Sequence, residues 1–150
     1  MNIYEPHKSS IGNIDANLMA LIAYGAAIVV IFIPGIKFIS WLAPIIIYVL
    51  EKDSYFVRFH SMQAFLINII AIIFNITIFM IIGGSIGILF FRPFAYGALG
   101  TILLTGLITG IVAILITIFE IIAMIKCYQY KEYEIPLIGV LTRKIVNKNN

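Results

Sequence analysis

The feature that most constrains this chain is a series of four apolar runs separated by short polar or proline-containing breaks. The first, residues 16–33, has no charged side chain and would form about 27 Å of helix, close to the ~30 Å hydrocarbon core of a bilayer. Hydrophobic residues make up 62% of the chain and charged residues 11%, whereas soluble domains carry about 25% charged residues. The sequence therefore predicts an integral membrane protein.

The predicted fold is all-α: a compact four-helix transmembrane bundle with spans at residues 16–33, 36–50, 62–83 and 98–125. The second helix is short and contains Pro44, which makes it the weakest of the four spans. Residues 1–14 form an N-terminal segment, residues 15–145 a single membrane domain, and residues 146–150 a disordered tail.

The distribution of Lys and Arg predicts the orientation. With four crossings, eight of the ten cations share the side of both termini, and Lys37 and Arg92 lie on the other side. The positive-inside rule then places both termini in the cytoplasm. Three crossings, with the second run on the surface and the N-terminus outside, give the same ratio, because Lys8 and Lys37 exchange sides. An Ile, Asn and Lys bias favours a prokaryote, and hence its cytoplasmic (inner) membrane.

Polar residues mark one face of the third run, which begins with FVRFHSMQAFLINI at residues 56–69. The helical period aligns His60, Asn68 and Asn75 with small residues between them. Glu120, inside the fourth run, is costly at bilayer depth unless it is paired, protonated or hydrated. The predicted polar cluster comprises Arg58, His60, Gln63, Asn68, Asn75 and Glu120. It would act as a packing clasp or line an ion path, or Glu120 would reach the interface alone.

Small residues recur at helical spacing on two other runs, a pattern that lets helix backbones approach closely. The predicted packing faces are Ala16, Ala20, Ala23 and Ala27 on the first helix, and Gly106, Gly110, Ala113 and Thr117 on the last.

The sequence gives little sign of catalysis. One cysteine and two histidines do not form a metal-ligand pattern, and no nucleophile, base and orienting group occur together. We expect no enzyme activity, cofactor or metal. Tyrosines interleaved with lysines after the last run are typical of a membrane-interface belt and not of nucleic-acid binding. The expected partners are the bilayer, including anionic lipids at the basic tail, and a second copy or another membrane protein.

Two segments carry a family resemblance. FVRFHSMQAFLINI at residues 56–69 and YKEYEIPLIGVLTRKI at residues 130–145 resemble the family of the twenty-kilodalton subunit of the chloroplast inner-envelope (Tic) translocon and its prokaryotic relatives. The resemblance implies a four-helix membrane domain, which favours four crossings over three. It also implies a translocon-subunit-like protein.

The favoured function is a non-enzymatic membrane subunit or scaffold that acts through helix packing and partner contacts. The alternative is a pore or a transporter of ions or small solutes, in which the polar face of the third and fourth runs lines a hydrated path.

Overall fold

The computed structural model describes residues 2–31 and 41–148, which form five α-helices in chain order. They are α1 (Ala16–Ile31), α2 (Ala43–Leu50), α3 (Tyr55–Phe91), α4 (Tyr96–Tyr128) and α5 (Ile138–Lys148). Within these residues, strand pairing is limited to two isolated antiparallel bridges, Ile3 with Lys131 and Lys8 with Asp15. The all-α class predicted from the sequence is confirmed.

Two of these helices, α3 and α4, are long and apolar enough to cross a membrane. They contain 37 and 33 residues and therefore extend about 55 and 50 Å, more than the hydrocarbon core requires. Only 6% of the most apolar window of each helix is buried, and Phe79 and Leu103 are 78% and 75% exposed. Apolar surface of this extent is favourable against acyl chains and unfavourable against water. The protein is therefore membrane-associated.

The four-helix transmembrane bundle is not confirmed. α2 contains eight residues, about 12 Å of helix, which is too short to cross a bilayer. Pro44 lies in its first turn, where the missing N–H costs no helix hydrogen bond. α1 has 16 residues, and residues 32–40, which complete the predicted first span and begin the second, lie outside the described residues. The spans predicted at 62–83 and 98–125 fall within α3 and α4.

The chain forms two compact units. The hairpin unit, Ile70–Ile118, contains the second half of α3, the turn at residues 92–95 and most of α4. The turn is closed by hydrogen bonds from Arg92 N to Ile88 O (2.8 Å) and from Ala95 N to Arg92 O (3.0 Å). Arg92 is the one charged residue of this unit.

Polar side chains of the hairpin unit bond to their own helix. Each donates to the carbonyl four residues earlier, at 2.7–3.0 Å; they are Asn75, Thr77, Ser85, Thr101, Thr109 and Thr117. Local bonding of this kind satisfies the side-chain donor without a second helix. These groups are consequently compatible with a lipid-facing position.

The polar unit comprises Met1–Ile69 and Phe119–Asn150. Its core joins Tyr48 of α2, Met62 of α3 and Val146 of α5, and partly buried hydrophobic neighbours surround them. Val146 belongs to the segment that the sequence assigns to a disordered tail, yet it is fully buried, and α5 continues to Lys148. An amphipathic helix buries its apolar stripe when a complementary core is available, and α2 and α3 provide that core.

A close approach of the backbone positions α5. A Cβ atom added at Gly139 would lie 2.5 Å from Glu134 Cβ and 2.7 Å from Glu134 Cα, so this position admits only glycine without a shift of the chain. Leu137, directly before the helix, has a positive φ of 67°. The chain thus reverses direction tightly between the segment after α4 and the start of α5.

The N-terminal strap, residues 2–15, lies across the polar unit. Its first residues pair with the segment after α4 through hydrogen bonds from Tyr4 N to Tyr130 O (2.9 Å) and from Glu132 N to Asn2 O (2.9 Å). Further along, Gly12 and Asn13 both have positive φ and form a tight turn, which Ser9 N closes by bonding to Ile14 O at 2.8 Å. The strap thus connects the N-terminal residues to the segment after α4 before α1 begins.

Candidate functional site

A buried hydrogen-bonded cluster joins α1 to α3. The Tyr24 hydroxyl lies 3.2 Å from His60 Nδ1 and accepts a hydrogen bond from Gln63 Nε2 at 2.9 Å. His60 and Gln63 are fully buried, and Tyr24 is nearly so. The His60 ring packs edge-on against Phe56 at 4.6 Å between centroids. The cluster therefore fixes the packing of α1 against the start of α3.

Gln63 also joins α3 to the segment that follows α4. Its Nε2 donates to the Tyr133 carbonyl (3.1 Å), and its Oε1 accepts from Ile135 N (3.3 Å). One amide thus bonds to one hydroxyl on α1 and to two backbone groups of the segment after α4. This amide is stabilising, because without it the Ile135 N–H would be buried without a hydrogen bond.

A second cluster surrounds Glu132, whose side chain is fully buried. The Glu132 carboxylate accepts from the Tyr4 hydroxyl (2.7 Å) and from Arg143 Nη2 (2.6 Å), and Arg143 also pairs with Glu134. Burial, together with the adjacent Glu132 carboxylate, raises the pKa of Tyr4. The cluster links the strap, the segment after α4 and α5 through a charge that is buried but paired.

A third cluster surrounds Glu51 in the turn between α2 and α3. Its carboxylate accepts from the hydroxyls of Ser9 and Ser10 of the strap, from Ser10 N (3.1 Å), and from Asp53 N and Ser54 N (3.1 and 3.0 Å). Burial alone would raise the pKa of Glu51, but the hydrogen bonds to its charged form outweigh burial and lower the pKa to about 2. Glu51 therefore holds the strap on the α2–α3 turn.

The α3 start is capped in the same turn. Ser54 Oγ accepts from Val57 N at 3.2 Å, the bond expected of a serine N-cap. His7 of the strap lies 2.8 Å from Ser54 Oγ through Nε2. The strap, the turn and the first turn of α3 therefore form one connected network.

The predicted polar cluster is divided in the structure. His60 and Gln63 come together, as described, with Tyr24 as their common partner. Arg58 instead contacts Tyr48 of α2. Its guanidinium lies 5.1 Å from the Tyr48 ring centroid, and its Nη2 lies 3.5 Å from the Tyr48 hydroxyl.

The other predicted members lie further along the two long helices. Asn75 is exposed and bonds to its own helix at Ala71 O (2.7 Å), and Asn68 is half-buried on α3. Glu120 is half-buried on α4, and the described part of the chain gives it no hydrogen-bond partner. No bond among the described residues joins Glu120, His60 and Arg58 into one site.

The two predicted packing faces differ. On α1, Ala16, Ala20 and Ala23 are fully buried, while the Ala27 side chain lies outside the described residues. On α4, the predicted face is exposed throughout: Gly106, Gly110, Ala113 and Thr117. A Cβ added at either glycine would meet nothing within 4 Å, so neither glycine is required by a close contact among the described residues.

Sequence reasoning missed the residues that hold the polar unit together. They are Ser9, Tyr24, Glu51, Glu132 and Arg143, and each has a partner on another segment of the chain, between 9 and 128 residues away. A local signal existed for the α2–α3 turn, since Ser54 precedes an apolar helix as an N-cap residue does. No local sequence pattern predicts the ion pair between Glu132 and Arg143.

Chemically, the arrangement favours a fixed surface. The Glu51 and Glu132 carboxylates are engaged in internal hydrogen bonds, and the His60 ring is enclosed by aromatic side chains. Among the residues that the structure describes, no three His, Cys, Asp or Glu side chains are grouped so that they could hold a metal ion.

Comparison with known families gives a match over most of the chain. Residues 15–142 match the model of the magnetosome magnetite crystal formation protein family, MamF/MmsF. Comparison with curated proteins finds no match, and comparison with solved structures also finds none. The resemblance to the twenty-kilodalton translocon subunit was therefore wrong, because the match assigns the same region to a different family.

The two segments that suggested a translocon subunit contain a buried Phe–His motif and the tight turn that leads into α5, features that serve packing in this structure. The family match instead spans 128 of the 150 residues. This membrane-associated chain belongs to the MamF/MmsF magnetosome magnetite crystal formation protein family.

Proposed function

We propose that the protein is a non-enzymatic membrane subunit that takes part in magnetite crystal formation through contacts made by its polar unit. The family description names this process. The observation that carries the proposal is that the strap, the α2–α3 turn and the segment after α4 are joined by Glu51, Glu132 and Gln63. A surface held in one shape before binding loses less conformational entropy when a partner docks.

The charge distribution supports the polar unit as the contact surface. Of the ten Lys and Arg residues, all except Arg92 lie outside the hairpin unit, and so do all seven Asp and Glu residues. The hairpin unit presents apolar side chains suited to acyl chains. Recognition of a polar partner therefore falls to the polar unit.

We further propose that α3 and α4 cross the inner membrane and leave both termini in the cytoplasm. A two-crossing arrangement puts nine cations on the side of the termini and Arg92 alone on the other side, which the positive-inside rule favours. A membrane-impermeant thiol reagent should label Asn13→Cys only after intact cells are opened, and Phe94→Cys without opening. The reverse pattern would overturn this orientation.

The functional proposal is tested by complementation in a magnetite-forming host that lacks the gene. We expect the wild-type chain to restore the crystal size distribution measured by electron microscopy. Glu51→Gln, which loosens the strap, should reach the membrane in normal amount yet give abnormal crystals, while Asp53→Asn in the same turn should behave as wild type. Normal crystals with Glu51→Gln would show that crystal formation does not require the strap to be held by Glu51. Failure of the wild-type chain would reject the role in crystal formation.

The expected partner is a second copy or another membrane protein. A photo-reactive side chain in place of Tyr128, which is exposed on the polar unit, should yield a crosslinked species in native membranes. The photo-reactive side chain is also placed at several other exposed positions. If only monomer is recovered from all of them after complete photolysis, the proposal that the polar unit contacts a protein partner is contradicted.

A further inference from the structure

The outward face of α5 combines apolar and basic side chains in one stripe. On the helix they are Val140, Leu141, Lys144 and Lys148, at spacings of one, three and four residues, and Leu137 lies directly before the helix. All five are exposed, and Leu137 is 90% exposed. The opposite face, with Gly139, Thr142 and Val146, is buried against the polar unit. Packing within the chain therefore accounts for one face of α5 and leaves the other without a role.

Leu137 is unusual in two respects. It has a positive φ of 67°, a conformation in which branched and bulky side chains are uncommon, and its side chain is almost wholly exposed. Asn or Gly would fit this backbone better and would not place an apolar group in water. The cost of the positive φ is steric and does not depend on the surroundings, whereas the cost of exposing the side chain to water is removed if it enters an apolar environment.

The charges on this face suit an anionic surface. Arg143, beside the stripe, is engaged by Glu132 and Glu134, so its charge is largely balanced. Lys144 and Lys148, by contrast, are exposed and form no ion pair within the described chain. The stripe itself contains no carboxylate.

We propose that this outward face of α5 docks on an anionic lipid surface. Leu137, Val140 and Leu141 enter the boundary between headgroups and acyl chains, and the two lysines lie along the surface and contact lipid phosphates. The inference goes beyond the proposed role in crystal formation and does not depend on it. A protein partner for the same face is the competing outcome.

The test uses the full chain reconstituted in phosphatidylcholine vesicles with and without phosphatidylglycerol. A spin label is attached to Leu141→Cys in a Cys127→Ala background, since Cys127 is the chain's one cysteine. Its accessibility to dissolved oxygen and to a water-soluble nickel chelate reports depth. We expect strong protection from nickel in anionic vesicles and weaker protection in phosphatidylcholine alone. A label at Lys52→Cys, on an exposed turn residue, should remain accessible in both.

Substitutions then identify the contacts. Lys144→Gln and Lys148→Gln should each lower the ratio of docked to undocked α5 in anionic vesicles by about fivefold, while Lys52→Gln should leave it unchanged. Leu137→Asn should also lower it, and because Asn tolerates positive φ the helix should remain folded. Circular dichroism checks that the helix content is kept.

Two results would overturn the proposal. The first is equal nickel accessibility in both lipid compositions with no effect of the lysine or Leu137 substitutions. The second is protection that is independent of phosphatidylglycerol and rises with the density of protein in the vesicle, which would assign the face to a protein contact. Neither result would bear on complementation by the wild-type chain, so this inference and the proposed function fail independently.

Discussion

Replacing Glu51 by glutamine tests how strongly the strap is held. The substitution keeps the shape of the side chain and removes the charge to which Ser9, Ser10 and Ser54 donate. Lowering the pKa from 4.5 to about 2 corresponds to about 3 kcal/mol of stabilisation at neutral pH. We expect Glu51→Gln to destabilise the polar unit by about that amount, or slightly less where the amide retains some bonds.

The sign of the pH dependence follows from the direction of the shift. The folded state holds Glu51 ionised more strongly than the unfolded state, so this stabilisation is complete above pH 4.5. It is lost progressively as the pH falls from 4.5 towards about 2. Glu51→Gln should lack this part of the pH dependence, since it has no group to titrate there.

Hydrogen exchange in mild detergent measures the effect where it occurs. The amides of residues 9–11 and 51–54 should exchange about a hundredfold faster in Glu51→Gln at neutral pH, because about 3 kcal/mol changes an opening equilibrium by that factor. Asp53→Asn, a change of charge on an exposed residue of the same turn, is the matched control. Equal exchange in wild type and Glu51→Gln, or an unchanged acid transition, would refute the reasoning.

Three further substitutions test the other contacts of the polar unit. Gln63→Leu should destabilise it by about 3 kcal/mol, because the Ile135 amide loses its buried partner, whereas Gln129→Leu at an exposed site should be nearly neutral in a detergent unfolding titration. Gly139→Ala should cost about 1–3 kcal/mol and expose α5 to limited proteolysis, and unchanged proteolysis would contradict the close approach to Glu134. Arg143→Met should cost about 3–5 kcal/mol by leaving Glu132 buried without its cation, and adding Glu132→Gln should recover part of the loss; additive losses would show that the two residues do not interact.

The apolar runs predicted the two long helices well because the signal is local. In residues 62–83 and 98–125 almost every side chain is compatible with lipid, and helix is the structure that satisfies the backbone there. The second predicted span, 36–50, begins in residues that the structure does not describe, and its described part contains the eight-residue helix α2 with Pro44 in the first turn. A transmembrane helix requires an apolar run of sufficient length, but such a run does not by itself guarantee a transmembrane helix.

The polar stripe shows where local periodicity becomes insufficient. Helical spacing placed His60 and Asn75 on one face, and the structure gives them different surroundings: His60 is buried beside Tyr24, whereas Asn75 is exposed and bonds to its own helix. Which of the two finds a partner depends on whether another segment lies beside it, and the period of one helix carries no information about that.

Hydropathy in the sequence alone determined the membrane association, the helical class and the position of α3 and α4, because each depends on residues close together in the chain. Tertiary structure alone decided the polar unit, since its bonds join residues as far apart as Tyr4 and Glu132, 128 positions in sequence. Such pairs leave no periodic trace, and their energy depends on burial that exists only once the chain has folded. The lowered pKa of Glu51 and the need for glycine at position 139 likewise depend on neighbouring groups that only the fold brings close.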